Sequence, residues 1–143
     1  MLSLYVAAMS SNGQPPRFAP TRQEIETLAL AALNRLPSPF TEHLSDVVLF
    51  VEDFADAAIL KEMGLNDPFE LTGLYTGRSI GQEAQTGDGP PTVHLFRRPL
   101  LDEWVETGVP LDALITHVVV HEIGHHFGLS DIDMHVLEDM VTL

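Results

Sequence analysis

The chain has 143 residues, 45% of them hydrophobic, with no cysteine and a formal net charge of −14. That length bounds it to one domain with a single core. The lack of cysteine excludes disulfides and thiolate metal sites, so any transition metal must be held by His, Asp or Glu.

The acidic balance argues against a nucleic-acid partner, whose phosphates it would repel. It suits basic or amine-bearing substrates or, more plainly, an acidic solvated surface. No apolar run approaches the roughly eighteen residues that a membrane span requires. Residues 2–9 are mildly apolar but lack the basic start and the length of a secretory signal, which makes the cytoplasm the expected location. Met9 is a candidate natural start, with residues 1–8 as an upstream extension.

Residues 1–20 read as a flexible lead-in, because Ser10-Ser11-Asn12-Gly13-Gln14-Pro15-Pro16 offers turn formers and no periodicity. The folded domain is expected over 21–143. Thr21-Arg22-Gln23-Glu24 is a capping-box sequence opening a helix that carries Ile25, Leu28, Leu30, Ala31 and Leu33 and stops at Pro37. Residues 46–52 form a valine-rich apolar run, which predicts a strand buried on both faces. Residues 53–63 read as a second helix closed by Gly64. Residues 71–76 and 92–97 read as strands, with β-branched and aromatic side chains. The fifteen residues 77–91 between them form a long polar connection. Such a loop is either a functional lid or a plain surface segment. A short helix over 101–107 precedes the main one, over 111–127, and a last helix is expected over 131–141.

The main helix carries the chemistry. Leu114, Ile115, Val118, Val119, Val120, Ile123 and Phe127 spread around most of it, the mark of a core helix. Polar side chains at such a position need partners. His121-Glu122-Ile123-Gly124-His125 is an HExxH pattern, extended through Gly128 to Asp131. Two histidines four apart lie on one helix face, where both imidazoles reach a single ion and the adjacent Glu122 reaches a water beside it. Gly128 allows the chain to leave the helix in a left-handed conformation and return Asp131 to the histidines. The ion expected is one zinc per chain, held by His121, His125 and Asp131, with a fourth position open for water as in a catalytic site. Glu122 is the expected general base.

Two readings of Asp131 stand. It is the third ligand, or it belongs to the Ser130-Asp131-Ile132-Asp133 N-cap region of the last helix, in which case His135 or Glu138 is the fallback ligand. His117, one turn before His121, either lines the cleft, hydrogen-bonds a ligand from behind or simply packs. His126 lies away from the ligand face as a core or surface histidine. Gly124, costly inside a helix, suggests close approach of another backbone. Tyr75, His94 and Arg97 are the candidates for substrate or oxyanion contacts, although an ordinary strand-surface role is the better reading of any one of them.

The stretch from His121 to Asp131, followed by Ile132-Asp133-Met134, resembles the small bacterial zincin-like metallopeptidases, a metzincin-like pattern with aspartate in place of the third histidine. Val47-Val48-Leu49-Phe50-Val51-Glu52, Gly73-Leu74-Tyr75 and Leu95-Phe96-Arg97-Arg98-Pro99 are similar to that family as well. The resemblance covers about residues 21–135 and is specific in the motif. It implies a compact α+β domain, a small mixed sheet packed on a central metal-binding helix, and a zinc-dependent peptidase acting on peptides or unfolded proteins. In zincins an extended substrate binds along an exposed sheet edge; residues 92–96 are the candidate edge, closed over by 77–91. One departure is clear: metzincins carry a methionine turn well downstream of the third ligand, whereas only twelve residues follow Asp131. Met134 is the residue available for a related place. The competing functional reading is a metal-stabilised peptide-binding or regulatory domain with little turnover, and a third is a structural protein with a fortuitous motif. Glu122 speaks for the enzyme, since a binding-only site has no chemical need of a base.

Overall fold

A computed structural model of the chain describes residues 17–80 and 89–141. The proposed lead-in, apart from residues 17–20, and most of the proposed lid lie outside the described residues. The described part is α+β, as the resemblance implies. In chain order it runs α1 (Arg22–Asn34), β1 (Val48–Glu52), α2 (Ala57–Glu62), β2 (Gly73–Thr76), β3 (Thr92–Phe96), α3 (Arg97–Thr107), α4 (Leu111–His126) and α5 (Asp131–Val141).

The capping box forms at the start of α1. The Glu24 amide donates to Thr21 Oγ1 at 3.1 Å, and the Thr21 amide donates to Glu24 Oε2 at 2.9 Å. Asp56 caps α2 by accepting from the Ile59 amide at 2.8 Å, so the second helix begins later than the apolar pattern suggested, after a bend at residues 53–54. The third helix begins earlier, at Arg97 directly off β3, because Pro99 is well tolerated in a helix's first turn.

α4 is the centre of the molecule, touching α1, α3, α5, β2 and β3. One continuous core joins Ile25, Ala29 and Leu33 of α1, Val93 and Leu95 of β3, Ile115, Val119 and Ile123 of α4, and Leu137 and Val141 of α5. A smaller cluster on the other face of the sheet packs Phe96 with Ala55 and Leu71 beneath α2. The helix apolar on nearly every side is therefore buried on nearly every side, which is what stabilises a sheet of only three strands.

The strand order is β1-β3-β2, with β1 parallel and β2 antiparallel to β3. This corrects two expectations. Residues 92–96 are not an edge but the central strand, with Val93, Leu95 and Phe96 buried. Val48–Glu52 is an edge strand and not buried on both faces; Phe50 at its middle is 51% exposed. A valine-rich run records only that a strand meets apolar neighbours, whereas its place in the sheet depends on what the other strands pair with. The second edge, and the one against α4, is β2. No helix among the described residues is long and apolar enough to cross a membrane.

Candidate metal centre

The histidine helix ends as the sequence suggests. Gly128 adopts φ +66°, and the Leu129 amide donates to the Gly124 carbonyl at 3.0 Å while the Gly128 amide donates to the His125 carbonyl at 3.1 Å. That pair of bonds is a Schellman turn, which only a residue tolerant of the left-handed region completes without strain. Two residues just beyond β2 close the same end: Ser79 Oγ donates to the His125 carbonyl at 2.8 Å and the Ile80 amide to the His126 carbonyl at 2.7 Å. The last turn of α4 is therefore fixed from both its own chain direction and the neighbouring segment.

His121 and His125 come together, their ring centroids 5.5 Å apart in an edge-on arrangement. Among the described residues neither imidazole takes part in a hydrogen bond, which leaves ring nitrogens of both available to an ion. Glu122, between them in sequence, lies with His125 on a cleft of about 500 Å³ whose other walls include Tyr75, Ser79 and the apolar Met63 and Leu71. Burial pushes the Glu122 carboxyl above the usual glutamate range, while the neighbouring His121 and His125 and a hydrogen bond from the Tyr75 backbone amide pull it back. β2 reaches Glu122 because Gly73 has no side chain: a Cβ there would stand 2.7 Å from Val118 Cγ1 and 3.3 Å from Glu122 Cγ.

Gly124 also marks a close approach, but of a side chain and not of another backbone. A Cβ at Gly124 would meet Met134 Cγ at 2.8 Å. Met134, buried at the start of α5, thus lies directly against the turn between the two histidines. His126 is a core histidine, sharing hydrogen bonds with the Tyr75 hydroxyl at 2.9 Å and the His43 carbonyl at 3.1 Å. The Tyr75 hydroxyl in turn donates to the Arg78 carbonyl at 2.7 Å, and burial raises the phenol's pKa.

Asp131 is the exposed first residue of α5 and makes no ion pair with either histidine among the described residues. Ser130 caps that helix, its Oγ accepting from the Asp133 amide at 3.2 Å, and an acidic residue in the first turn is stabilised by the helix dipole. Among the described residues no three His, Asp or Glu side chains stand gathered as a metal-binding group. The carboxylate that does approach the histidine face is Glu138, 3.1 Å from His117 Nδ1, 3.9 Å from His121 Nδ1 and 3.7 Å from His135 Nδ1.

Of the three candidate substrate contacts, only Tyr75 lines the cleft. Arg97 ties the chain ahead of α1 to the β1–α2 bend, donating to the Pro20 carbonyl at 2.6 Å and to Asp53 at 3.3 Å. His94 stacks between Phe50 and Phe96, with Nε2 bonded to Thr76 Oγ1 at 3.1 Å. Burial lowers its pKa against the raising effect of Glu52 and Asp56. The sequence gives no sign that Met63 and Ser79 line the cleft, and for Gly73 the one signal is the family-like Gly73-Leu74-Tyr75 stretch.

Residues 44–141 match the family model for zincin-like metallopeptidases, a span that holds the whole sheet and every helix from α2 onward. No curated protein matches the chain.

Proposed function

The chain belongs to the zincin-like metallopeptidase family, and from that premise we propose that it is a zinc-dependent peptidase with residues 21–143 as its catalytic unit. His121 and His125 hold the zinc with Asp131 as third ligand, and Glu122 is the general base. The observation that carries this reading is a pair of adjacent imidazoles, without hydrogen bonds among the described residues, beside the half-buried Glu122, which lies with His125 on one cleft. The family implies zinc, and a donor set of nitrogen and oxygen with no sulfur suits that ion in a catalytic role. For Asp131, the support is its place three residues beyond the left-handed Gly128.

When bound, zinc supplies Lewis acidity, polarising a peptide carbonyl and making a water acidic enough to attack near neutral pH. Glu122 takes the proton of the attacking water and passes it to the departing amine. A hydrogen bond from the Tyr75 amide favours the charged form of that carboxylate. The substrate is an extended peptide laid along the edge of β2 that has no partner strand among the described residues, held by main-chain hydrogen bonds. β2 takes the role that the sequence assigned to residues 92–96, because it is the edge that passes over Glu122.

Metal content of untagged protein, measured by mass spectrometry beside Asp131→Ala, tests the site. About one zinc per wild-type chain, sharply reduced in the variant, supports it. Protein that cannot be loaded with zinc overturns it. Peptide-library cleavage abolished by Glu122→Ala then tests the reaction, and zinc-loaded protein that cleaves nothing leaves a binding domain.

A further inference from the structure

Glu138 has a role that neither the motif nor the proposed reaction uses. Its side chain is only 12% exposed, between α4 and α5, and it approaches three imidazoles. A carboxylate taken that far out of water is costly unless partners compensate. Oε2 is held by His117 Nδ1 at 3.1 Å. Oε1 faces His121 Nδ1 at 3.9 Å, outside hydrogen-bond length but within the reach of an ion pair. The side of the His121 ring turned to Glu138 is thus the Nδ1 side, which leaves Nε2, across the ring, as the nitrogen available to an ion.

We propose that Glu138 is a positioning residue for His121: its carboxylate, steadied by His117, draws the proton of the neutral imidazole to Nδ1 and so presents an unprotonated Nε2 to the metal. The inference rests on the zinc site proposed above. A neutral imidazole carries one proton, and the group facing one nitrogen decides where that proton sits. A carboxylate behind a metal-binding histidine also raises the ligand's basicity and fixes its ring orientation. Within this chain the arrangement explains two sequence features together. His117 stands one turn before His121 with its ring 6.4 Å away, and Glu138 falls on the buried side of a helix whose other acidic residues are exposed.

The test has two readouts on the full chain. Zinc affinity is measured by chelator competition for wild type, Glu138→Gln and Glu138→Ala. The ¹⁵N shifts of the His121 ring are recorded on the same proteins without metal. The expected result is a 10–100-fold weaker affinity for Glu138→Ala, a smaller loss for the volume-preserving Glu138→Gln, and an Nδ1–H preference in wild type that both variants lose. Unchanged affinity in a folded Glu138→Ala, or a His121 tautomer indifferent to the substitution, overturns the proposal. So does complete loss of bound zinc in Glu138→Ala with zinc retained in Asp131→Ala, which makes Glu138 a ligand. If wild type takes up no zinc, the zinc reading fails, while the tautomer measurement still decides the role of Glu138.

Discussion

Gly73 and Glu122 meet across the β2–α4 contact, where Val118 leaves no space for a methyl group on the strand. The Cβ of an alanine at Gly73 would fall 3.3 Å from Glu122 Cγ and 2.7 Å from Val118 Cγ1. The strand that forms the cleft's wall and the carboxylate proposed as its base are therefore held at a separation set by a missing side chain.

Gly73→Ala is expected to push β2 off α4, costing about 1–3 kcal/mol in stability as overpacking does. Turnover should fall by more than tenfold, because the Tyr75 amide moves with the strand and Glu122 loses that hydrogen bond. Peptide hydrolysis and thermal melting, measured together, check this. A variant with full turnover contradicts the contact's importance.

The Gly124–Met134 contact makes a second prediction. Met134→Ala removes a buried side chain and should cost about 2–5 kcal/mol, whereas the near-isosteric Met134→Leu should cost less than about 1.5 kcal/mol. Because the methionine packs between the two histidine turns, Met134→Ala should also weaken zinc binding. Denaturant melts and zinc titrations of both variants are the measurement.

The pH dependence of the metal-free protein follows from Glu122. Burial raises its native pKa above the unfolded value, so the folded state holds more protons between those two values. Its contribution to stability is fully present below the ordinary glutamate pKa and is lost as pH rises through the raised native one. Glu122→Gln, which still accepts from Tyr75, should match wild type in acid and exceed it at neutral pH. Melting temperatures of both proteins across the acidic to neutral range test the sign.

Zinc should stabilise the fold by mass action. At a free concentration a hundredfold above its dissociation constant, the gain is about 2.7 kcal/mol. For a domain of this size that raises the melting temperature by roughly 5–10 °C. A melting temperature indifferent to zinc and to chelator would remove the metal from the folded state.

The histidine helix was legible in the sequence because its signals are local. The apolar residues on every side, the HExxH spacing and Gly128 each act within a few residues, as do the Thr21–Glu24 cap and the start of α5. Strand order was not legible. Val48 to Glu52 and Thr92 to Phe96 are both apolar runs, and nothing in either says that β2 pairs with the second alone. That His94 and Arg97 stand off the cleft was not legible for the same reason, since the face each occupies depends on which helix covers it. Glu138 entered the reading only as a fallback ligand. Its approach to His117 and His121 depends on how α5 lies across α4, a tertiary angle with no local signature.

Tyr75 sets a mechanical limit on the site. Its amide engages Glu122 and its hydroxyl engages His126, both on α4, while the hydroxyl also donates to the nearby Arg78 carbonyl, so β2 cannot slide along α4 without giving up the first two. One jaw of the cleft is therefore stiff and indexed to the chemistry. The opposite jaw ends in the half-exposed, unbranched thioether of Met63, a side chain with many accessible shapes. In the proposed peptidase, accommodation of differing substrate side chains falls to that compliant jaw, away from the histidines.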